Sequence, residues 1–115
     1  MINDVTFEAL HVALRGLSAR ERVIADNISN LETPRFLAGK VDFESSLKEA
    51  LATGRRPGEA TISTSRSLNP TRENGNNVII DEETVQGMDT SLRYELAVNA
   101  VNAKFRLLRS AIGPR

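Results

Sequence analysis

The 115-residue sequence contains no cysteine, no tryptophan and one histidine, and its fifteen basic residues balance fifteen acidic ones. Without cysteine there is no disulfide, no thiol nucleophile and no thiolate-bound metal, and His11 alone cannot form a histidine-based zinc site within one chain. A net charge of zero removes the main electrostatic argument for binding nucleic acid or a membrane surface. We therefore expect no enzymatic activity, no cofactor and no metal.

Long hydrophobic runs are also missing. No apolar stretch approaches the roughly 20 residues that a membrane-spanning helix needs. The N-terminus lacks the basic start, the uninterrupted apolar region and the small-residue cleavage site of a signal peptide. Composition alone therefore predicts a cytoplasmic protein with a single domain, residues 1–115.

Residues 4–31 are predicted to form one long helix whose apolar residues repeat as a heptad. The heptad consists of Phe7, Leu10, Leu14, Leu17, Ile24, Ile28 and Leu31. Such a seam is typical of a helix that packs along a second helix. Asn3 or Asp4 can cap its start. Pro34 is expected to stop it, because the residue before a proline is pushed out of the helical region.

Residues 84–112 are predicted to form a second long helix that ends at Gly113–Pro114. Its heptad consists of Tyr94, Val98, Val101, Phe105, Leu108 and Ile112. Eleven of the 17 residues from 96 to 112 are apolar, and a helix this apolar must be buried on most of its surface. One other long helix cannot cover it, so we expect Ala97, Ala100 and Ala111 to contact neighbouring subunits.

The middle segment, residues 32–83, is polar. Asp42 can cap a short helix from 43 to 52, and residues 53–77 have the glycine, proline and serine content of a loop. Weak strands are candidates at 61–65 and 78–80, with a turn at 74–77 between them. The predicted fold is mainly α: long terminal helices pair as an antiparallel, coiled-coil-like hairpin around a loop-rich, weakly β middle.

The last twelve residues are basic and contain no acid. They include Lys104, Arg106, Arg109 and Arg115. In an antiparallel hairpin this end meets Asp4 and Glu8, and such exposed pairs select orientation more than they stabilise. An alternative is a small helical dimeric regulator or adaptor whose basic C-terminal end contacts nucleic acid.

The segment that leaves the first helix carries a recognisable motif. It reads Asn27-Ile28-Ser29-Asn30, then Thr33-Pro34, Arg35 and Phe36. This resembles the Asn-Ile-Ala-Asn-x-x-Thr-Pro-Gly-Tyr signature of bacterial flagellar rod and hook proteins. The Val41-Asp42-Phe43-Glu44 and Asn76-Asn77-Val78 segments are similar to those of proximal rod proteins. Arg35 stands where the family has glycine, and a positive φ would cost arginine about 1–2 kcal/mol.

The resemblance implies a structural subunit of the flagellar basal-body rod, part of an axial tube that transmits torque. It implies helix pairing by Leu10, Leu14, Leu17, Ile24 and Ile28 with Val98, Val101, Phe105, Leu108 and Ile112. Asn27, Asn30, Thr33 and Pro34 would shape the exit from the first helix, with Phe36, Asp42 and Phe43 completing the signature.

The partners implied are copies of itself, other rod proteins, the rod–MS-ring junction protein, the MS ring and the type III export apparatus. Nucleic acid and a membrane span are not implied. Export without a cleaved signal peptide would place the protein in the periplasmic rod, which replaces the cytoplasmic location that composition suggests.

Overall fold

The computed structural model describes residues 4–113, which form three α-helices, a short 3-10 helix and a two-stranded antiparallel sheet. In chain order the elements are α1 (Val5–Ser29), β1 (Gly39–Asp42), α2 (Glu44–Ala52), the 3-10 helix Pro57–Glu59, β2 (Ser63–Arg66) and α3 (Ile80–Ile112). The predicted mainly α class with long terminal helices is confirmed. Asn3, Pro114 and Arg115, which entered the predictions for the helix ends, lie outside the described residues.

Helix α1 begins as predicted but ends well before Pro34. The Asp4 carboxylate accepts a hydrogen bond from the Phe7 backbone N–H at 2.7 Å and so satisfies a free donor of the first turn. The helix stops at Ser29, and Asn30 caps it while donating from its side-chain amide to the Asp26 carbonyl at 2.8 Å. The observed end lies two residues before the predicted end at 31 and five residues before Pro34, so the turn at residues 30–32 separates the helix from the proline.

Helix α3 begins at Ile80, earlier than the predicted start at 84. Three acidic residues, 81–83, occupy its first turn, where carboxylates interact favourably with the positive end of the helix dipole. The predicted strand at 78–80 is wrong, because Ile80 is already helical. At the other end Gly113 adopts φ 81° and donates its N–H to the Arg109 carbonyl at 3.0 Å, a common helix ending.

Helices α1 and α3 pack side by side in opposite directions. Near the start of α1, Asp4 pairs with Lys104 from the last third of α3. Near the end of α1, Asn27 Nδ2 donates to Glu83 Oε1 at 3.0 Å, in the first turn of α3. Early residues of one helix thus meet late residues of the other, which makes the pair an antiparallel hairpin.

The basic end of α3 meets one of its two predicted acidic partners. The hydrogen bond from Lys104 lowers the pKa of Asp4. Glu8 instead pairs with Arg56, just before the 3-10 helix. The first turn of α1 is therefore tied both to α3 and to the middle segment.

The middle segment lies against α1 and contributes a small antiparallel sheet. Gly39 of β1 is opposite Arg66 of β2, and Asp42 is opposite Ser63. Strand β2 overlaps the weak strand predicted at 61–65, whereas β1 was not predicted.

Helix α2 matches the predicted range 43–52 to within one residue. Phe43, not Asp42, is its N-cap residue, although Asp42 Oδ1 still accepts from the Ser45 backbone N–H at 3.3 Å. Phe43 belongs to the hydrophobic core cluster, together with Val12 and Leu17. The segment before α2 thus carries an anchor that packs directly on α1.

The described chain is elongated and its core is small. It extends 66 × 31 × 14 Å with a radius of gyration of 17.8 Å, against about 13 Å for a compact domain of this length. The buried apolar residues are Val12, Leu17, Ile24, Ala38, Val41, Phe43, Ala50 and Val78. None of them comes from α3, which contributes the partly buried Tyr94 against the core that α1 and the middle segment form.

Thr90 of α3 places a buried hydroxyl group in the hairpin. It is 0% exposed, and its Oγ1 has no hydrogen-bond partner within residues 4–113. A buried polar group without a partner costs about 1–3 kcal/mol. Thr90→Val keeps the shape and removes the hydroxyl, so we expect the free energy of unfolding in urea to rise by about 1 kcal/mol.

Thr84 provides the matched control for this prediction. It is an exposed threonine of the same helix, and its hydroxyl donates to the Ile80 carbonyl at 2.8 Å. Thr84→Val should change the free energy of unfolding by less than about 0.5 kcal/mol. Equal effects of the two substitutions would contradict the assignment of a defect at Thr90.

Candidate assembly surfaces

Helix α1 is covered on two sides. Of its predicted pairing residues, Leu17 and Ile24 are buried, Leu10 and Leu14 are half-buried, and Ile28 is exposed. Val12 and Gly16, which lie outside the predicted heptad, are also buried. They belong to the side of α1 that packs on Phe43. The middle segment and α3 therefore each cover a different part of the apolar surface of α1.

Helix α3 faces α1 with small and polar residues as well as apolar ones. Of the predicted contact residues, Ala97, Val98, Ala100, Val101 and Leu108 are half-buried, Phe105 is 44% exposed and Ile112 is 73% exposed. Phe105 still meets Phe7 edge to face, with ring centroids 5.6 Å apart. Of the three alanines expected to face neighbours, Ala111 is exposed, but burial does not separate Ala97 and Ala100 from the residues expected to pair within the subunit.

A row of large apolar side chains lies on the outer side of α3. We call it the outer stripe, and it consists of Val85, Met88, Leu92, Leu96 and Leu107. These side chains are between 57% and 69% exposed. The three-and-four spacing from 85 to 96 is the sequence signal, and it lies opposite the side that contains the buried Thr90. The sequence predicts the apolar excess of α3, but the contact between subunits predicted from it lies on alanines and not on these five residues.

The side chains of α1 close the free edge of β1. Asn27 Oδ1 accepts from the Gly39 backbone N–H at 2.8 Å, and Asn27 Nδ2 donates to the Gly39 carbonyl at 3.0 Å. Two turns earlier, Arg20 Nη2 donates to the Val41 carbonyl at 2.7 Å. These two side chains take the place of a third strand, so this edge is protected against pairing with another chain.

Asn76 and Asn77 tie the entry into α3 to the exit from α1. Both side chains are buried. Asn76 Nδ2 donates to the carbonyls of Asn30 and Thr33, each at 2.8 Å. Asn77 Oδ1 accepts from the Ala38 backbone N–H at 2.7 Å. The sequence predicts for these two asparagines only a turn and part of a family pattern, and gives no sign of the long-range hydrogen bonds.

Three buried amides thus hold both ends of the middle segment. We call Asn27, Asn76 and Asn77 the asparagine clasp. Their hydrogen bonds go mainly to backbone groups that no helix or strand satisfies. The clasp therefore fixes the direction in which the chain leaves α1 and enters α3.

The signature residues Thr33 and Pro34 lie in a β-turn. The Phe36 N–H donates to the Thr33 carbonyl at 3.3 Å. Pro34 occupies the second position, and Arg35 at the third adopts φ 63°, the combination of a type II turn that favours glycine. The Phe36 ring lies under the Arg66 guanidinium at 5.4 Å. Arginine therefore adopts here the conformation expected of the family's glycine.

The strain at Arg35 predicts a stabilising substitution. A positive φ costs a residue with a Cβ about 1–2 kcal/mol, and glycine avoids this cost. Part of the gain is cancelled because glycine has more conformational entropy to lose when the chain folds. Arg35→Gly should therefore raise the free energy of unfolding by about 0.5–1 kcal/mol in thermal or urea denaturation. Arg35→Ala retains the strain and should show no such gain; a larger gain for alanine would contradict this explanation.

Arg20 joins α1 to the start of α2. Its guanidinium donates to both oxygens of the Glu44 carboxylate at 2.7 and 2.8 Å and lies over the Phe43 ring at 5.1 Å. The hydrogen bond from Arg20 lowers the pKa of Glu44 from 4.5 to about 2. The pair thus orders the segment that carries the core phenylalanine.

Acid is expected to weaken this junction. Because the pKa of Glu44 is lower in the folded state, its contribution to stability is complete above about pH 4.5 and is lost as the pH falls through about 2. The free energy of unfolding should decline over that window, and Glu44→Gln should make the decline shallower. Glu49→Gln, on the same helix, is the control and should leave the decline unchanged; the reverse order would exclude this pair as the source.

Charged side chains of both signs, among them Arg20, Glu44 and Arg93, line a pocket of about 540 Å³ beside β1. Within residues 4–113, no three His, Cys, Asp or Glu side chains are placed to hold a metal ion. His11 is exposed on α1. No helix among the same residues is both long and apolar enough to cross a membrane.

An elongated helical hairpin with a small core and a large exposed apolar stripe defines a class of protein: a structural subunit whose surface is completed in an assembly. No protein-family model matches the sequence. The sequence does match individual proteins. The chain is 30% identical to the flagellar basal body rod protein FlgB of Bacillus subtilis over 119 aligned residues, which cover 93% of this chain and 92% of that protein.

Two further relatives agree with this match. The FlgB proteins of Escherichia coli and Borrelia hermsii are each 30% identical to the chain. Their alignments cover 90% and 96% of this chain, and 89% and 98% of the relatives. The chain therefore belongs to the FlgB family of flagellar basal body rod proteins. The resemblance seen in the sequence is confirmed, and a nucleic-acid-binding regulator is not favoured.

Proposed function

We propose that the chain is a subunit of the proximal rod that acts by assembly alone, without catalysis. Its two terminal helices form the building block of an axial tube that transmits torque and encloses the export channel. Membership in the rod protein family supports this role. The small core supports it too, because the isolated chain leaves apolar surface that only neighbours can cover.

The outer stripe is the single observation that carries the proposal. Five large apolar side chains on one side of α3 are more than half exposed. Each contributes about 1.5–3 kcal/mol when it is fully buried, so a neighbouring helix that covers the stripe gains substantial free energy. This assigns the contact between subunits to the stripe in place of Ala97 and Ala100.

The partners proposed are copies of this chain, other rod proteins, the rod–MS-ring junction protein and the MS ring. During secretion the type III export apparatus would handle the chain without a cleaved signal peptide. Its final location would be the periplasmic rod. Family membership supports the rod location, and the absence of cysteine is compatible with an oxidising compartment.

Labelling the protein in purified basal bodies tests the proposal. Label at the proximal end of the rod is the expected result, and label absent from basal bodies would overturn the assignment. In the same preparation Leu92→Asp should fold and be exported but should not incorporate, because it places an unpaired charge in a desolvated helix contact.

Leu68 is the matched control for Leu92→Asp. It is 97% exposed in the loop after β2, so Leu68→Asp makes the same chemical change away from α3. It should incorporate like the parent chain. Incorporation of both variants would show that the outer stripe is not a contact surface.

A further inference from the structure

Helix α3 carries opposite charge on its two halves. Residues 80–95 contain five acidic residues and one basic residue, a net charge of −4. Residues 96–112 contain three basic residues and no acid, a net charge of +3. The apolar outer stripe runs through both halves, from Val85 to Leu107. One half of the helix is therefore electrostatically complementary to the other half of a second copy.

The acidic half also contains a groove. A cavity of about 610 Å³ lies between the end of α1 and the start of α3, and Ile24, Ile28 and Met88 supply apolar walls. Gly87 forms part of its floor, since a Cβ built there would have Ile24 as its nearest neighbour at 3.8 Å. Glu21 lies at the rim. An apolar side chain flanked by a cation is the complement of this surface.

The basic half of α3 presents that complement. Leu107 is 68% exposed, and Arg106 precedes it directly on the same helix. We propose that the groove over Gly87 receives the C-terminal half of α3 from a second copy of this chain, with Leu107 in the groove and Arg106 close to Glu21. This inference rests on the proposed function, because it names the contact through which the rod subunit assembles.

The positions of the groove and of Leu107 along α3 determine the geometry of the assembly. Gly87 and Leu107 are 20 residues apart on one helix, which corresponds to about 30 Å at 1.5 Å per residue. Two parallel copies therefore make the contact when one is displaced by about 30 Å along the helix axis. In such a pair, one copy still has an unoccupied groove and the other still has an unoccupied C-terminal half of α3. The contact is therefore heterologous, and further copies can add at both ends.

Disulfide cross-linking tests this arrangement, and the natural absence of cysteine makes every cross-link specific. Met88→Cys and Leu107→Cys replace exposed side chains, which leaves the core intact. A mixture of the two single variants should form a covalent dimer on oxidation, and each variant alone should not. The double variant should form trimers and longer ladders, whereas dimers alone would indicate a closed antiparallel pair and overturn the staggered model.

Charge exchange tests the proposed ion pair. Arg106→Glu and Glu21→Arg should each reduce the cross-linking yield about tenfold, equivalent to about 1.4 kcal/mol, and the double exchange should restore it. Arg55→Glu makes the same charge change in an exposed loop and should leave the yield unchanged. Failure of the double exchange to restore the yield would contradict the pairing of Arg106 with Glu21.

The two proposals fail in different ways. If the labelled chain incorporates into basal bodies but Met88→Cys and Leu107→Cys do not cross-link there, the rod assignment stands and the groove contact is wrong. If cross-linked ladders form with purified protein but the chain is absent from basal bodies, the groove contact stands and the rod assignment is wrong.

Discussion

Gly16→Ala is expected to lower the free energy of unfolding by about 2–3 kcal/mol, although alanine is the better helix former. A Cβ at Gly16 would lie 2.2–2.6 Å from three carbons of the Phe43 ring. The buried ring, with Arg20 over its face, would have to leave its position. That cost approaches the 3–5 kcal/mol of deleting a buried phenylalanine, reduced by about 1 kcal/mol of helix propensity. Urea denaturation followed by circular dichroism measures the difference.

Gly87→Ala is the matched control on the other long helix. Its Cβ would meet Ile24 at 3.8 Å, an ordinary contact distance. We therefore expect this variant to gain up to about 1 kcal/mol from helix propensity. Combining Gly16→Ala with Phe43→Leu should cost much less than the sum of the single changes, because the ring that clashes is gone. Additive effects would mean that the two residues do not interact.

Asn27→Ala is expected to cost about 3 kcal/mol. Asn27 is 1% exposed, and its amide satisfies both backbone groups of Gly39 as well as Glu83. Removing it leaves buried donors and acceptors without partners, at about 1–3 kcal/mol each before relaxation and water entry. Hydrogen exchange of the Gly39 amide gives a local readout and should lose its protection.

Asn30 offers the comparison for this prediction. It is half-buried, and its side chain bonds locally to Asp26 and Thr33. Asn30→Ala should cost about 1 kcal/mol or less, the ordinary net loss of an exposed side-chain hydrogen bond. Equal costs for the two asparagines would show that the signature acts only through helix capping, without a role in closing the β1 edge.

The clasp and the outer stripe play different parts in this protein. The clasp sets the geometry within one subunit, so its substitutions should appear in the stability of the isolated chain. The stripe is exposed, and charged substitutions there should spare stability and affect incorporation. Measuring both properties for each variant separates folding defects from assembly defects.

The heptads of the sequence were sufficient to predict two long helices, because helical periodicity is a local property of the chain. The excess of apolar residues in α3 predicted more apolar surface than one other helix covers, and the five large apolar side chains of the outer stripe are more than half exposed. The Asn-x-x-Asn and Thr-Pro pattern was sufficient to recognise the family. The locations of the weak strand near 61–65 and of the short helix at 43–52 also followed from turn residues and capping preferences.

Tertiary structure alone decided which faces of the helices meet. Gly16 and Val12 turn towards Phe43, so the middle segment occupies a side of α1 that the heptad does not describe. On α3, Gly87 and Thr90 face inward and the outer stripe is left exposed. A helix with apolar residues on several sides can pack through any of them, and its sequence does not show which side is buried. The choice depends on which partner surface comes close enough to bury each side, and that is a property of the folded chain.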